Sequence, residues 1–334
     1  MKRLFLLAAT AALLATGQLM AFETVTYTED FDDGNAATRF TAPVVDAETG
    51  VFDGDVDYAF DYGAIGVPAA PSGGGSTGVL MQVNLSDAGP VDEGEGVAIY
   101  PLAGASLPPD FVVSMDVFFN AEFQSSGSTE YGLFSIHTSG ANDPADQSLT
   151  DDVAFPIFGL GEGDGLTWAM TGDAGTSSSD YALIRDPGNA DAGTAQTFGS
   201  FDDLPAGKFP NLSTGVGATG PDGNWNTIEL TKAGNFYTFR IDGILLASFT
   251  DTANEFDGGS IAIGYADVFN SVGTPDLPVG PDPNPLDNIP FGDEFPNLAH
   301  FIIYDNLQIT AIPEPATGVV AAVSMIGLAF RRRR

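Results

Sequence analysis

The chain has 334 residues, 43% of them hydrophobic, which is enough apolar material for a sizeable core and excludes a disordered chain. All 45 acidic side chains except Glu314 fall between Phe22 and Ile312, where the basic ones are Arg39, Arg185, Lys208, Lys232 and Arg240. A body so negative excludes nucleic acid and anionic lipid as natural partners, and zero cysteines exclude disulfides, thiol catalysis and cysteine-ligated zinc.

In chain order, Met1-Lys2-Arg3, an apolar run from Leu4 to Ala15 and a small-residue exit at Ala21 have the layout of a signal peptide over residues 1–21. The run is short for a membrane span. The body, residues 22–311, contains most of the 41 glycines and 22 prolines, which favours many turns and an all-β fold. Alternating apolar and polar residues predict strands at 79–85, 111–119, 131–137, 227–231, 236–241, 244–249, 260–265 and 301–309. Between the fourth and sixth of these, Lys232-Ala233-Gly234-Asn235 and Asp242-Gly243 supply two hairpin turns, so three consecutive antiparallel strands are expected. Two stretches read as loops: Pro68 to Gly78, rich in glycine and serine, and residues 267–299, which contain seven prolines.

The last segment, residues 312–334, runs Ile312-Pro313-Glu314-Pro315, then fifteen apolar or small residues, then Arg331, Arg332, Arg333 and Arg334. As a helix the apolar stretch reaches only about 22 Å, against a hydrocarbon core of about 30 Å, and the arginines would hold its end in the cytoplasm. These residues resemble the PEP-CTERM sorting signal of Gram-negative bacteria, with Pro313, Glu314 and Pro315 as the motif and the four arginines as the retention cluster. The resemblance implies export, processing by the membrane enzyme exosortase, and display at the cell envelope or in an extracellular matrix. Membrane contact would be made through this segment alone.

The stretch from Trp225 to Gly264, with Thr28-Glu29-Asp30-Phe31-Asp32-Asp33-Gly34 and Tyr304-Asp305-Asn306-Leu307, resembles the concanavalin A-like, or laminin G-like, jelly roll. The resemblance implies a two-sheet antiparallel sandwich whose first and last strands lie together. It also implies a structural Ca²⁺ between those strands, with Glu29 and Asp305 as candidate ligands, although cap and turn roles suit the same carboxylates. Asp53-Gly54-Asp55-Val56-Asp57 is a second carboxylate cluster, but Tyr58 stands where an EF-hand loop needs glycine, so it reads as a solvated loop.

For a polysaccharide ligand, Trp168, Tyr131 and Tyr181 are rings near loops that could stack on a sugar, while a strand aromatic more often packs in a core. Trp225 is read as core. No Glu-x-Asp-x-x-Glu strand, nucleophile elbow or phosphate loop occurs, so a non-catalytic polysaccharide-binding surface protein is the leading expectation. A glycoside hydrolase of the same superfamily and a purely structural surface protein are the alternatives.

Overall fold

The chain is described by a computed structural model over residues 23–47, 54–83, 95–103, 105–120, 130–138, 164–171, 181–187, 197–199, 225–253, 256, 258–267 and 301–313. The expected signal peptide, the tail beyond Pro313 and all but Asp267 of the proline-rich loop lie outside those residues. Among the described residues no helix is long and apolar enough to cross a membrane.

In chain order the strands are β1 Thr24–Glu29, β2 Val44–Ala47, β3 Asp55–Asp61, β4 Thr77–Gln82, β5 Glu95–Ile99, β6 Phe111–Asn120, β7 Glu130–Thr138 and β8 Asp164–Thr171. They continue as β9 Tyr181–Pro187, β10 Thr197–Gly199, β11 Trp225–Ala233, β12 Phe236–Ile241, β13 Ile244–Thr250, β14 Ser260–Asp267 and β15 Phe301–Ala311. One antiparallel sheet runs β13-β12-β11-β6-β15-β4-β3, and a second runs β10-β9-β8-β7-β14-β5-β2. The opening strand β1 pairs with the second half of β15, while β4 pairs with its first half. The first and last strands therefore meet, as the resemblance implies.

Local chemistry explains the hairpins. β11 buries every second residue, from Asn226 through Lys232, as a strand does when one face is covered more fully than the other. It turns at Gly234 into β12, and Asp242 and Gly243, both at positive φ, turn β12 into β13. The Thr227 N–H donates to the Asp242 carboxylate and the Asp242 N–H to the Thr227 carbonyl, closing that corner.

The two sheets share one apolar core. The first contributes Val79, Met115, Phe119, Phe239, Ile302 and Tyr304, and the second contributes Ile99, Phe134, Trp168, Leu183, Ile263 and Tyr265. At its centre the buried Tyr304 hydroxyl donates 2.6 Å to the Gly264 carbonyl and accepts from the Leu133 N–H at 3.1 Å, tying β15 to the opposite sheet. Burial raises this phenol far above the ordinary tyrosine range.

Candidate functional site

The first sheet is buried on its other face as well. There Phe60, Tyr62, Ile65, Val67, Leu80, Phe118, Phe301 and Ile303 form a second apolar cluster, with Trp225 packed against it. Within this layer Phe118 stacks on Phe301 at 6.2 Å and meets Trp225 edge-on at 5.6 Å. The cover is the segment that leaves β3, makes a short 3₁₀ turn at Tyr62–Ile65 and crosses back to β4 through residues 66–76. We call residues 66–76 the strap. The predicted loop at Pro68 to Gly78 thus serves as a lid over a sheet face, and its last two residues begin β4.

Beneath the strap a polar seam interrupts the apolar layer. Asp305 on β15 lies directly across from Asp116 on β6, and both are buried, at 1% and 0% exposure. A bulge between Asp305 and Gln308, with Asn306 at φ 52°, inserts one extra residue into β15. Its effect is to keep Leu307 and Ile309 in the core while placing the Asn306 side chain near Asp116 on the strap side.

Asp116 accepts four hydrogen bonds: from the Ser72 N–H and hydroxyl, both at 2.9 Å, from the Thr227 hydroxyl at 2.7 Å, and from the Asn306 amide at 3.1 Å. Those donors are matched to a negative charge. Asp305 accepts the Asn306 N–H at 2.6 Å and faces the Tyr62 hydroxyl at 2.9 Å. Burial is the main cause that pushes its carboxyl up to about 7; the Tyr62 and Asn306 bonds pull it down, and the charges of Asp32 and Asp116 push it up again. Like charges directly opposite on neighbouring strands repel, which adds to the burial that favours the protonated form of Asp305.

Asp32, in the loop after β1, holds the strap from its exposed side by accepting the Gly75 N–H at 2.6 Å. A Cβ at position 75 would meet that carboxylate, so a larger residue there would push Asp32 off the strap. The Trp225 indole N–H donates 2.6 Å to the Pro68 carbonyl, and its ring meets Tyr62 edge-on at 5.1 Å.

The sequence-predicted residues fall in several places. Glu29 is buried but pairs with Arg39 through both oxygens, and Arg39 also binds Asp33. Hydrogen bonding to Arg39 holds the exposed Asp33 carboxyl down to about 2. A Ca²⁺ at Glu29 would have to displace a two-pronged guanidinium, and Asp305 already faces Tyr62 and Asn306. These two carboxylates have separate partners, and among the described residues no group of three or more aspartates, glutamates or histidines is arranged to hold a metal ion. Asp55 and Asp57 belong to strand β3, which corrects the expectation of a loop there.

Trp168, Tyr131 and Tyr181 are buried at 2%, 6% and 7% exposure, the core placement that strand aromatics favour over a sugar platform. Trp168 is stacked between Tyr181 and Phe239 at 5.3 and 5.4 Å, so both faces of its indole are already covered. Trp225, expected in the core, is half-buried on the strap side. Sequence reasoning missed the Asp116–Asp305–Tyr62 seam. A usable signal was present: Val117-Phe118-Phe119 and Phe301-Ile302-Ile303 are apolar at both parities, which requires a cover on each face of the sheet.

No family model matches the chain, and no curated protein matches it in sequence. Among solved structures it is similar to a Bacillus subtilis protein with a galectin-like fold, at 9% identity and a TM-score of 0.45 over 87% of this chain and 100% of that one. It is also similar to the carbohydrate recognition domain of Emp47p, at 10% identity and TM-score 0.36 over 88% and 99% of the two chains. A glycoside hydrolase of family GH16 from Bacteroides ovatus aligns at 11% identity and TM-score 0.37 over 86% and 99%. At these identities and scores the likeness says nothing of ligand or reaction.

Proposed function

We propose that this chain is an exported, exosortase-sorted surface or matrix protein whose jelly roll binds polysaccharide without cleaving it. The observation that carries the reading is the end of β15. This strand lies inside the first sheet, between β6 on one side and β4 and β1 on the other, and it finishes at Ala311. The Ile312 N–H donates one last bond to the Asp110 carbonyl, and Pro313, which has no N–H, opens the Pro-Glu-Pro motif. The body thus completes its sheet before the sorting tail begins, as a domain built to be handed to a processing enzyme would.

Polysaccharide is the ligand class implied by the concanavalin A-like resemblance. A binding role over hydrolysis is supported by the carboxylate pair under the strap; in the second sheet Asp267 on β14 is also in register with Glu95 on β5 and Glu130 on β7. A glycosidase pair must flank the scissile bond in an open cleft. Asp116 and Asp305 instead lie under the strap and are engaged by Ser72, Thr227, Asn306 and Tyr62.

Deleting residues 313–334 is expected to release the protein from the cell with its melting temperature unchanged. Retention at the membrane, or loss of the cooperative transition, would overturn the sorting reading. A glycan array on the released protein, run with EDTA and again with Ca²⁺, tests the ligand class. Failure to bind any polysaccharide in either condition would leave a structural surface role.

A further inference from the structure

We infer that the strap is held by a proton-operated latch: a proton on Asp305 lets Tyr62 bind the strap carbonyl of Gly75, and its loss unfastens that contact. The inference rests on counting hydrogens. The Tyr62 oxygen lies 2.9 Å from Asp305 Oδ2 and 3.1 Å from the Gly75 carbonyl oxygen. Three oxygens in a row need two protons to make both bonds, and a carbonyl can only accept.

When Asp305 is neutral, its O–H donates to the Tyr62 oxygen and the Tyr62 O–H donates to Gly75, so both contacts are made. When Asp305 is ionised, the Tyr62 proton is drawn to the carboxylate as the stronger acceptor, and the Gly75 carbonyl loses its donor. Neutral Asp305 is further favoured by its register opposite Asp116.

The groups around the latch leave no competing counter-ion among the described residues. Asp32 from the loop after β1, Asp116 on β6 and Tyr62 face Asp305. β1 adds Tyr27 and Glu29, the latter paired with Arg39, and β4 carries no titratable side chain. Asp61 at the base of the strap is engaged by Ser76 and Gly63, and Asp242 on the β12–β13 turn faces Asp116. The raised carboxyl of Asp305, about 7, puts the change near neutral pH.

The test is amide hydrogen exchange of the strap in the full-length chain, with EDTA present, expressed as protection factors so that the intrinsic pH dependence of exchange cancels. From pH about 5.5 to about 8.5 the strap amides, Gly75 included, are expected to lose about fivefold to tenfold in protection, the equivalent of roughly one hydrogen bond. Amides in β7 and β14 should hold theirs. Asp305→Asn, whose amide always donates to Tyr62, should keep the strap protected at both pH values. Tyr62→Phe, which keeps the ring, should leave it weakly protected at both. A wild-type strap with equal protection at the two pH values would overturn the latch, as would an Asp305→Asn variant that retained the wild-type slope. If Asp305→Asn fails to fold, Tyr62→Phe decides alone, because a surviving pH slope in that variant cannot come from the relay.

Discussion

The two faces of the first sheet are buried by different means. The inner face meets the second sheet through interlocking aliphatic and aromatic side chains, with a few polar crossings such as the Tyr304 hydroxyl to Gly264. The outer face meets the 3₁₀ turn at Tyr62–Ile65 and the glycine-rich strap, and much of what fixes the strap is polar: Asp116 on Ser72, Asp32 on Gly75, Tyr62 on Gly75 and Trp225 on Pro68. Apolar contact is indifferent to pH and to small shifts of geometry, whereas bonds to buried carboxylates depend on both. One sheet therefore carries a permanent face and an adjustable one.

The sharpest way to break the contrast is to damage the permanent face. Trp168→Ala removes an indole packed between two rings and should lower stability by about 4 kcal/mol, read as a fall in the urea midpoint. Strap exchange measured well below that midpoint should be unaffected, and a variant that loosened the strap without losing global stability would show that the faces are not independent.

Asp116→Ala tests the adjustable face. It leaves the Ser72, Thr227 and Asn306 donors without their acceptor beneath the strap, at an expected cost of about 2–3 kcal/mol. Unlike Trp168→Ala, it should also raise strap exchange beyond the change in global stability. A loss below about 0.5 kcal/mol would mean that water reaches these donors freely.

Asp305 sets the pH response. Its carboxyl rises from an ordinary 3.8 to about 7 in the folded protein, so between roughly pH 4 and pH 7 the folded state binds a proton that the unfolded state has released. Its contribution to stability is complete below about 4 and is lost as pH rises toward 7, at up to about 1.4 kcal/mol per pH unit. Asp305→Asn should remove that slope from a series of denaturant melts, leaving the opposite trend expected of Asp33, whose lowered carboxyl favours folding above its unfolded value. Identical pH profiles for the variant and the parent would place the titration elsewhere.

The smallest expected effect is that of Trp225→Phe. Its ring contacts with Tyr62 and Phe118 largely survive, while the bond to the Pro68 carbonyl is lost, for a change of about 1 kcal/mol. Comparable strap exchange in this variant and the parent would show that Pro68 is held by packing alone.

The sequence by itself determined whatever local chemistry decides. Asp242-Gly243 dictates the β12–β13 turn because both positions take positive φ, and the alternation of β11 dictates which of its side chains go inward. The resemblance of the Thr28–Gly34 and Tyr304–Leu307 segments correctly brought the first and last strands together. Strands such as β8 and β9 were not predicted, because glycine-rich flanks and short runs blur a period of two.

Only the tertiary structure decided what covers each face. A period of two separates the sides of a strand but does not say what lies over either side, so Trp168 and Trp225 could not be told apart as core and strap-side rings. Nor could spacing place Asp305 opposite Asp116, since that register depends on a long-range pairing and on a bulge at Asn306. The proton on Asp305 follows from both, because burial and a facing carboxylate exist only once the strands are paired and the strap has closed over them.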